Sequence, residues 1–262
     1  MDLRISGRVA LVCGSTSGLG LAIATELARE GCRVAVNGRD VTRLKHARAT
    51  VAAVSADVNG FAADISEPAQ AVELVRRVQH HFGALDILVC NAGGPPSGGF
   101  NNTSAEQWSK ALDLSLLSSI HLCRAAVPLM QERGWGRIVC LTSVAAKEPL
   151  PGLMLSTTAR AGVLGFAKAL ADELAPHGIT VNSVCPGYMN TERVQELVDE
   201  TARRERRQPD EIRAGMVARI PMQRMGDPQE LAATVAFIAS MPAGYLTGVA
   251  LQVDGGYVRS IL

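Results

Sequence analysis

Apolar runs alternating with helical stretches predict an α/β protein, a doubly wound parallel sheet of about seven strands with helices on both faces. Three observations carry this. Residues 8–13, 33–37, 86–90, 137–141, 179–184 and 249–253 are nearly continuous in hydrophobicity, as strands covered on both faces are. Helical patterns with readable ends lie between them. The first run breaks into a glycine-rich turn, Gly14-Ser15-Thr16-Ser17-Gly18-Leu19-Gly20, that passes directly into the helical residues 21–28.

In chain order, the first strand, the turn and the helix form one unit. Glycines let the backbone turn tightly and let an anion approach, and the N–H groups of the helix N-terminus favour that anion. The spacing is G-x-x-x-G-x-G rather than G-x-G-x-x-G. Gly31 after Glu30 reads as a helix stop. A third strand is expected to end near Asp64 and Ile65, with Ser66 as the next N-cap. Ser104-Ala105-Glu106-Gln107 and Asp227-Pro228-Gln229-Glu230 fit capping boxes, the second with proline at the first helical position. A long helix is expected over 152–176. Residues 192–219, which contain Arg203-Arg204-Glu205-Arg206-Arg207, exceed what a strand-to-helix connection needs.

With 262 residues, 47% of them hydrophobic, and no linker or composition shift, the chain reads as one domain over 1–262. A formal net charge of +1 gives no global attraction to nucleic acid or anionic membrane. No apolar stretch approaches the roughly 20 residues that span a bilayer, and the N-terminus does not read as a signal peptide. A cytoplasmic protein is expected. The six cysteines lack C-x-x-C spacing and sit mostly in expected strands, so they read as core packing. The five histidines lack metal-ligand spacing, and no metal site is expected.

Four motifs, in this order and spacing, make the whole chain resemble a short-chain dehydrogenase/reductase: Gly14, Gly18 and Gly20; Asn91-Ala92-Gly93 after the fourth strand; Pro186-Gly187 with Thr191; and Asp254-Gly255-Gly256. The resemblance implies a single-domain Rossmann fold. It places a dinucleotide on Gly14, Ser15, Ser17, Gly18, Leu19 and Gly20. Asp64 and Ile65 hold the adenine, Asn91, Ala92 and Gly93 leave room for the dinucleotide, and Pro186, Gly187, Met189 and Thr191 meet the nicotinamide carboxamide. After the second strand, Asn37-Gly38-Arg39 stands where an acidic residue selects NAD. A guanidinium there suits a 2′-phosphate, so NADP(H) is favoured, with NAD(H) as the alternative.

The same resemblance implies a catalytic Ser, Tyr, Lys and Asn, and this chain keeps only the first. Ser143 is retained, Ser156 replaces Tyr, Arg160 replaces Lys, and Ser115 stands where Asn is usual. Serine is too weak an acid for the phenol's task, whereas Arg160 can still bond ribose hydroxyls, so binding is expected to survive better than proton transfer. Tyr188 and Lys147 are the candidate substitute proton donors. Residues 190–220 are expected to form a lid over the substrate.

The expected function is NADP(H)-dependent oxidoreduction of a carbonyl or alcohol, like a 3-oxoacyl-thioester reductase with an atypical catalytic set. The alternative is a dinucleotide-binding sensor or subunit partner without turnover. Expected partners are a small-molecule or acyl-thioester substrate and further copies of the chain, as a dimer or tetramer.

Overall fold

The computed structural model describes residues 1–261. Its strands are β1 (Val9–Val12), β2 (Arg33–Gly38), β3 (Val58–Ala62), β4 (Ile87–Cys90), β5 (Gly136–Leu141), β6 (Ile179–Pro186) and β7 (Ala250–Val253). They form one parallel seven-stranded sheet, as expected from the sequence, and the structure gives its order as β3-β2-β1-β4-β5-β6-β7. The order reverses between β1 and β4, which opens a crevice at the carboxyl ends of the strands.

Alternation along the strands explains why they read as continuous apolar runs. Val9, Leu11 and Cys13 face one core with Leu88, Cys90, Ile138 and Cys140. Ala10 and Val12 face the other with Val34, Val36, Ile87, Val89 and Val139. The first core is closed by α3 (Pro68–Phe82), α5 (Ser118–Glu132) and α6 (Met154–Leu174), and the second by α1 (Gly18–Arg29), α2 (Val41–Ala52) and α9 (Pro228–Ile238). A fully buried side chain such as Leu11 contributes about 1.5–3 kcal/mol on either side.

Both capping boxes form, at Ser104 before α4 (Ala105–Leu112) and at Asp227 before α9. Gly31 takes φ +81 just past α1. Ser66 is not an N-cap: α3 begins at Pro68 after Glu67, and the Ser66 hydroxyl instead donates to Asp64 Oδ1 at 2.7 Å. The long helix is α6, shorter at both ends than expected, followed by a 3-10 turn (Ala175–His177).

Two helices, α7 (Glu192–Glu205) and α8 (Pro209–Ala218), occupy the segment after β6 and share a small core of Val198, Ala202 and Ile212. Between α4 and α5 lies a π-helical turn (Asp113–Leu117), so 105–132 is one helical run of 28 residues. By length and composition it is the one described helix that could cross a membrane. Its inner residues Leu122, Cys123, Ala126 and Met130 belong to the first core. All six cysteines are free and buried.

Candidate active site

The glycine turn after β1 is shaped by backbone crowding. Gly14 has φ +56, a left-handed value that favours glycine. A Cβ on Gly20 would lie 2.3 Å from the Gly14 carbonyl oxygen and 2.8 Å from Asn91 Nδ2. Asn91 clamps this turn by donating from Nδ2 to the carbonyls of Cys13 at 3.1 Å and Gly14 at 3.0 Å. Its side chain thus builds the crevice as well as lining it.

Side chains cap the N-termini of α2, α4, α7 and α9, namely Asp40, Ser104, Thr191 and Asp227. The Ser17 side chain makes no such bond at α1, whose first turn opens into the crevice. The free N–H groups and the helix dipole make that end an anion site. A dinucleotide pyrophosphate fits this cradle.

A cavity of about 270 Å³ extends from the turn across the carboxyl ends of β4, β5 and β6. It brings together most of the residues the sequence singled out: Gly14, Ser17, Gly18, Leu19, Gly20, Asn91, Ala92, Gly93, Ser143, Ser156, Arg160, Pro186, Gly187, Tyr188, Met189 and Thr191. Thr191 also caps α7, its hydroxyl accepting from Val194 N–H. Ser143 precedes a 3-10 turn (Val144–Ala146), and its Oγ accepts from Ala145 N–H at 3.1 Å.

Arg160 faces Ser156 one helical turn away on α6. Its Nε donates to Ser156 Oγ at 3.2 Å, and its Nη1 donates to the carbonyls of Leu141 at 3.0 Å and Thr142 at 2.8 Å. Burial lowers its pKa to about 10, and the like charge of Arg193 adds to the shift, so it remains a cation at neutral pH. Much of the guanidinium is spent holding the end of β5, and among the described residues only Nη2 is without a hydrogen bond.

Three expectations are corrected. Ser115 lies in the π-helical turn, buried, its Oγ without a partner among the described residues, and it does not line the cavity. Ser15 is fully buried: its hydroxyl donates to the Val12 carbonyl at 2.7 Å and its N–H to the Asn37 carbonyl at 2.8 Å, so it ties β1 to β2 and has no donor left for a phosphate. Ile65 packs in the first core among Phe61, Ala63 and Leu74 rather than offering a face for stacking.

Asp64 and Arg39 lie beyond the cavity at the β2 end, 3.6 Å apart. Partial burial would raise the Asp64 pKa, but the two hydrogen bonds from Ser66 and the charge of Arg39 outweigh it and hold the carboxyl below its ordinary value. The Arg39 side chain is 78% exposed, its guanidinium paired with Asp64. Lys147 does not line the cavity. Tyr188 does, and its ring meets that of Tyr257 edge-on at 5.4 Å.

Sequence reasoning missed several wall residues. Arg193, two residues past Thr191, donates from Nη2 to the Pro95 carbonyl at 3.0 Å and so pins the loop after Gly93 to α7. Leu150, Leu153 and Leu197 supply apolar walls. Position relative to Thr191 was the one signal that pointed to Arg193; the leucines carried none. Arg43, in the first turn of α2, reaches Glu192 of α7 at 3.1 Å.

Comparison with known proteins agrees with this geometry. Residues 14–258 match the family described as enoyl-(acyl carrier protein) reductase. The 3-oxoacyl-[acyl-carrier-protein] reductase FabG of Haemophilus influenzae is 36% identical over 256 residues, covering 98% of this chain and 100% of that protein. D-beta-hydroxybutyrate dehydrogenase of Cupriavidus necator is 33% identical over 255 residues, covering 97% and 99%. Among solved structures, L-sorbose reductase from Gluconobacter frateurii, complexed with NADPH and L-sorbose, superposes with a TM-score of 0.95 at 32% identity over 100% of both chains.

Proposed function

The chain belongs to the short-chain dehydrogenase/reductase family, and from that premise we infer that it is an NADP(H)-dependent oxidoreductase interconverting a 3-oxoacyl-type carbonyl and its alcohol. One observation carries the reading: the uncapped N-terminus of α1 and the Ser143, Ser156 and Arg160 group open into the same cavity. Gly14, Ser17, Gly18, Leu19 and Gly20 would hold the pyrophosphate, Arg39 the 2′-phosphate, and Pro186, Gly187, Met189 and Thr191 the nicotinamide end. When bound, NADPH supplies the hydride.

The chain's own residues handle the substrate oxygen. Ser143 Oγ and Ser156 Oγ each accept one hydrogen bond from the protein, which leaves each hydroxyl proton free to donate to a carbonyl oxygen. As charge builds on that oxygen, both bonds strengthen and the Arg160 cation stabilises it. The proton that completes the alcohol comes from water, with the Tyr188 phenol on the same wall as a second donor. Without the usual Tyr, general acid catalysis worth roughly 10²- to 10⁴-fold is missing. Positioning of donor and carbonyl, worth about 7–11 kcal/mol, is retained. The site is slow rather than silent.

The test is fluorescence titration with NADPH, followed by a screen of ketones, aldehydes and acyl thioesters for oxidation of the bound cofactor. Binding without any turnover would return the chain to the alternative, a dinucleotide-binding sensor. We assign a cytoplasmic location and a homo-oligomer to the same reading. Tyr245, Leu246, Val249 and Leu251 are exposed at or next to β7, which pairs with β6 alone in the sheet order, and a second copy would cover them. Light scattering reads the oligomeric state directly.

A further inference from the structure

The cavity wall carries three formally charged side chains, and their pairing is uneven. Glu192 meets Arg43 at 3.1 Å, and Arg193 meets Glu196 at 3.2 Å. Among the described residues, no carboxylate lies within 4.0 Å of Arg160. Its Nε is spent on Ser156, and its Nη1 on the carbonyls of Leu141 and Thr142. Two carbonyls and a hydroxyl solvate a guanidinium, but they do not neutralise it. Among the described residues Nη2 makes no hydrogen bond, and Arg160 lines the cavity.

A desolvated cation without a counter-charge is costly to keep, so a ligand that brings a negative charge gains more than its contact alone. The cofactor would not bring that charge here: the proposed pyrophosphate cradle is the N-terminus of α1, and ribose hydroxyls are neutral. What is left at this end of the cavity is a group of donors, namely the Ser143 and Ser156 hydroxyls and Arg160 Nη2, while the Glu192 and Arg193 charges are paired elsewhere. Val144, Leu150, Leu153 and Leu197 enclose the rest. Such a wall suits a small apolar body with an oxyanion close to a second polar oxygen.

We propose that the substrate is a free oxo acid, or the matching hydroxy acid in the reverse direction, whose carboxylate is received by Arg160 Nη2 while Ser143 and Ser156 hold the carbonyl oxygen. A carboxylate one or two carbons from the carbonyl fits the short span of α6 between Ser156 and Arg160. A neutral acyl thioester would leave Arg160 uncompensated. This assignment rests on the oxidoreductase reading and narrows it to one substrate class.

The test separates binding from turnover by using NADP⁺, which cannot reduce an oxo acid. Protein saturated with NADP⁺ is titrated calorimetrically with acetoacetate and with methyl acetoacetate. Acetoacetate is expected to bind at least tenfold more tightly than its ester. Arg160→Met should bring the two within twofold, and Arg160→Lys, which keeps the charge, should retain most of the difference. Equal binding of acid and ester by the wild type overturns the proposal, as does an undiminished acid preference in folded Arg160→Met. If that variant fails to fold because the Leu141 and Thr142 carbonyls lose their donor, the wild-type comparison decides alone. Failure of NADP⁺ itself to bind, seen in the first titration, overturns the oxidoreductase reading together with this one.

Discussion

Replacing Gly20 by alanine probes the cradle where it is tightest. The added Cβ would meet the Gly14 carbonyl oxygen at 2.3 Å and Asn91 Nδ2 at 2.8 Å, where ordinary contact begins near 3.4 Å. The oxygen is backbone, and the Asn91 amide is fixed by two hydrogen bonds, so neither moves without cost. Overpacking costs about 1–3 kcal/mol, and losing both Asn91 bonds costs about 0.5–1.5 kcal/mol each. The higher helix propensity of alanine returns at most about 1 kcal/mol. A net loss of about 1–5 kcal/mol is expected, read as a lower urea midpoint. NADPH affinity should fall roughly tenfold or more, since the displaced turn is the proposed phosphate cradle and about 1.4 kcal/mol is tenfold. Gly93→Ala is the control: nothing lies within 4 Å of its added Cβ, so stability should hold. If Gly20→Ala unfolds at the wild-type midpoint and binds NADPH within twofold of wild type, the crowding argument is wrong.

Arg39→Asp should weaken NADPH roughly 10- to 100-fold, the worth of a charge-assisted bond of about 1.5–3 kcal/mol, and leave NADH within threefold, as parallel titrations would show. Ser143→Ala should lower kcat about 10²-fold, as for an oxyanion donor, with little change in NADPH affinity; equal losses in both would assign the hydroxyl to the cofactor instead. Tyr257→Phe removes a buried hydroxyl that no well-formed hydrogen bond satisfies among the described residues, the Tyr188 phenol being its polar neighbour. Relief of about 1 kcal/mol should raise Tm by about 2–4 °C in a calorimetric scan, and a fall would mean the hydroxyl is satisfied. Burial, with Tyr188 beside it, pushes the Tyr257 phenol up to about 12. Its folded pKa exceeds the unfolded value near 10, so its contribution is intact below pH 10 and is lost as pH rises toward 12. Denaturation curves across that window should lose less stability in the phenylalanine variant.

The sheet was legible because each strand is buried on both faces, which writes itself as an unbroken apolar run, and because helix ends such as Ser104-x-x-Gln107 carry their own caps. The crevice followed from glycines at fixed offsets. Arg160 was legible as a residue at the site but not as a clamp, because its partners are backbone carbonyls that leave no mark in sequence. Ser115 was legible as a motif position, but nothing in Asp113-Leu-Ser-Leu-Leu117 announces the π-helical turn that holds it. Ser15 and Ile65 failed for a different reason: a motif fixes where the backbone goes, while packing decides which side chain turns inward. Arg193 was missed because its role depends on a loop almost a hundred residues earlier in the chain.

With all six thiols sealed inside the folded chain, and burial raising the pKa of Cys13 and Cys32 to about 12, a thiol-specific dye has nothing to react with until the sheet comes apart. Dye uptake therefore times the opening of the protein without any engineered label. Because Cys90 and Cys140 are direct neighbours on β4 and β5, while Cys32 sits just before β2 near the outer edge, the order in which they are modified would tell whether the centre of the sheet or its margin yields first.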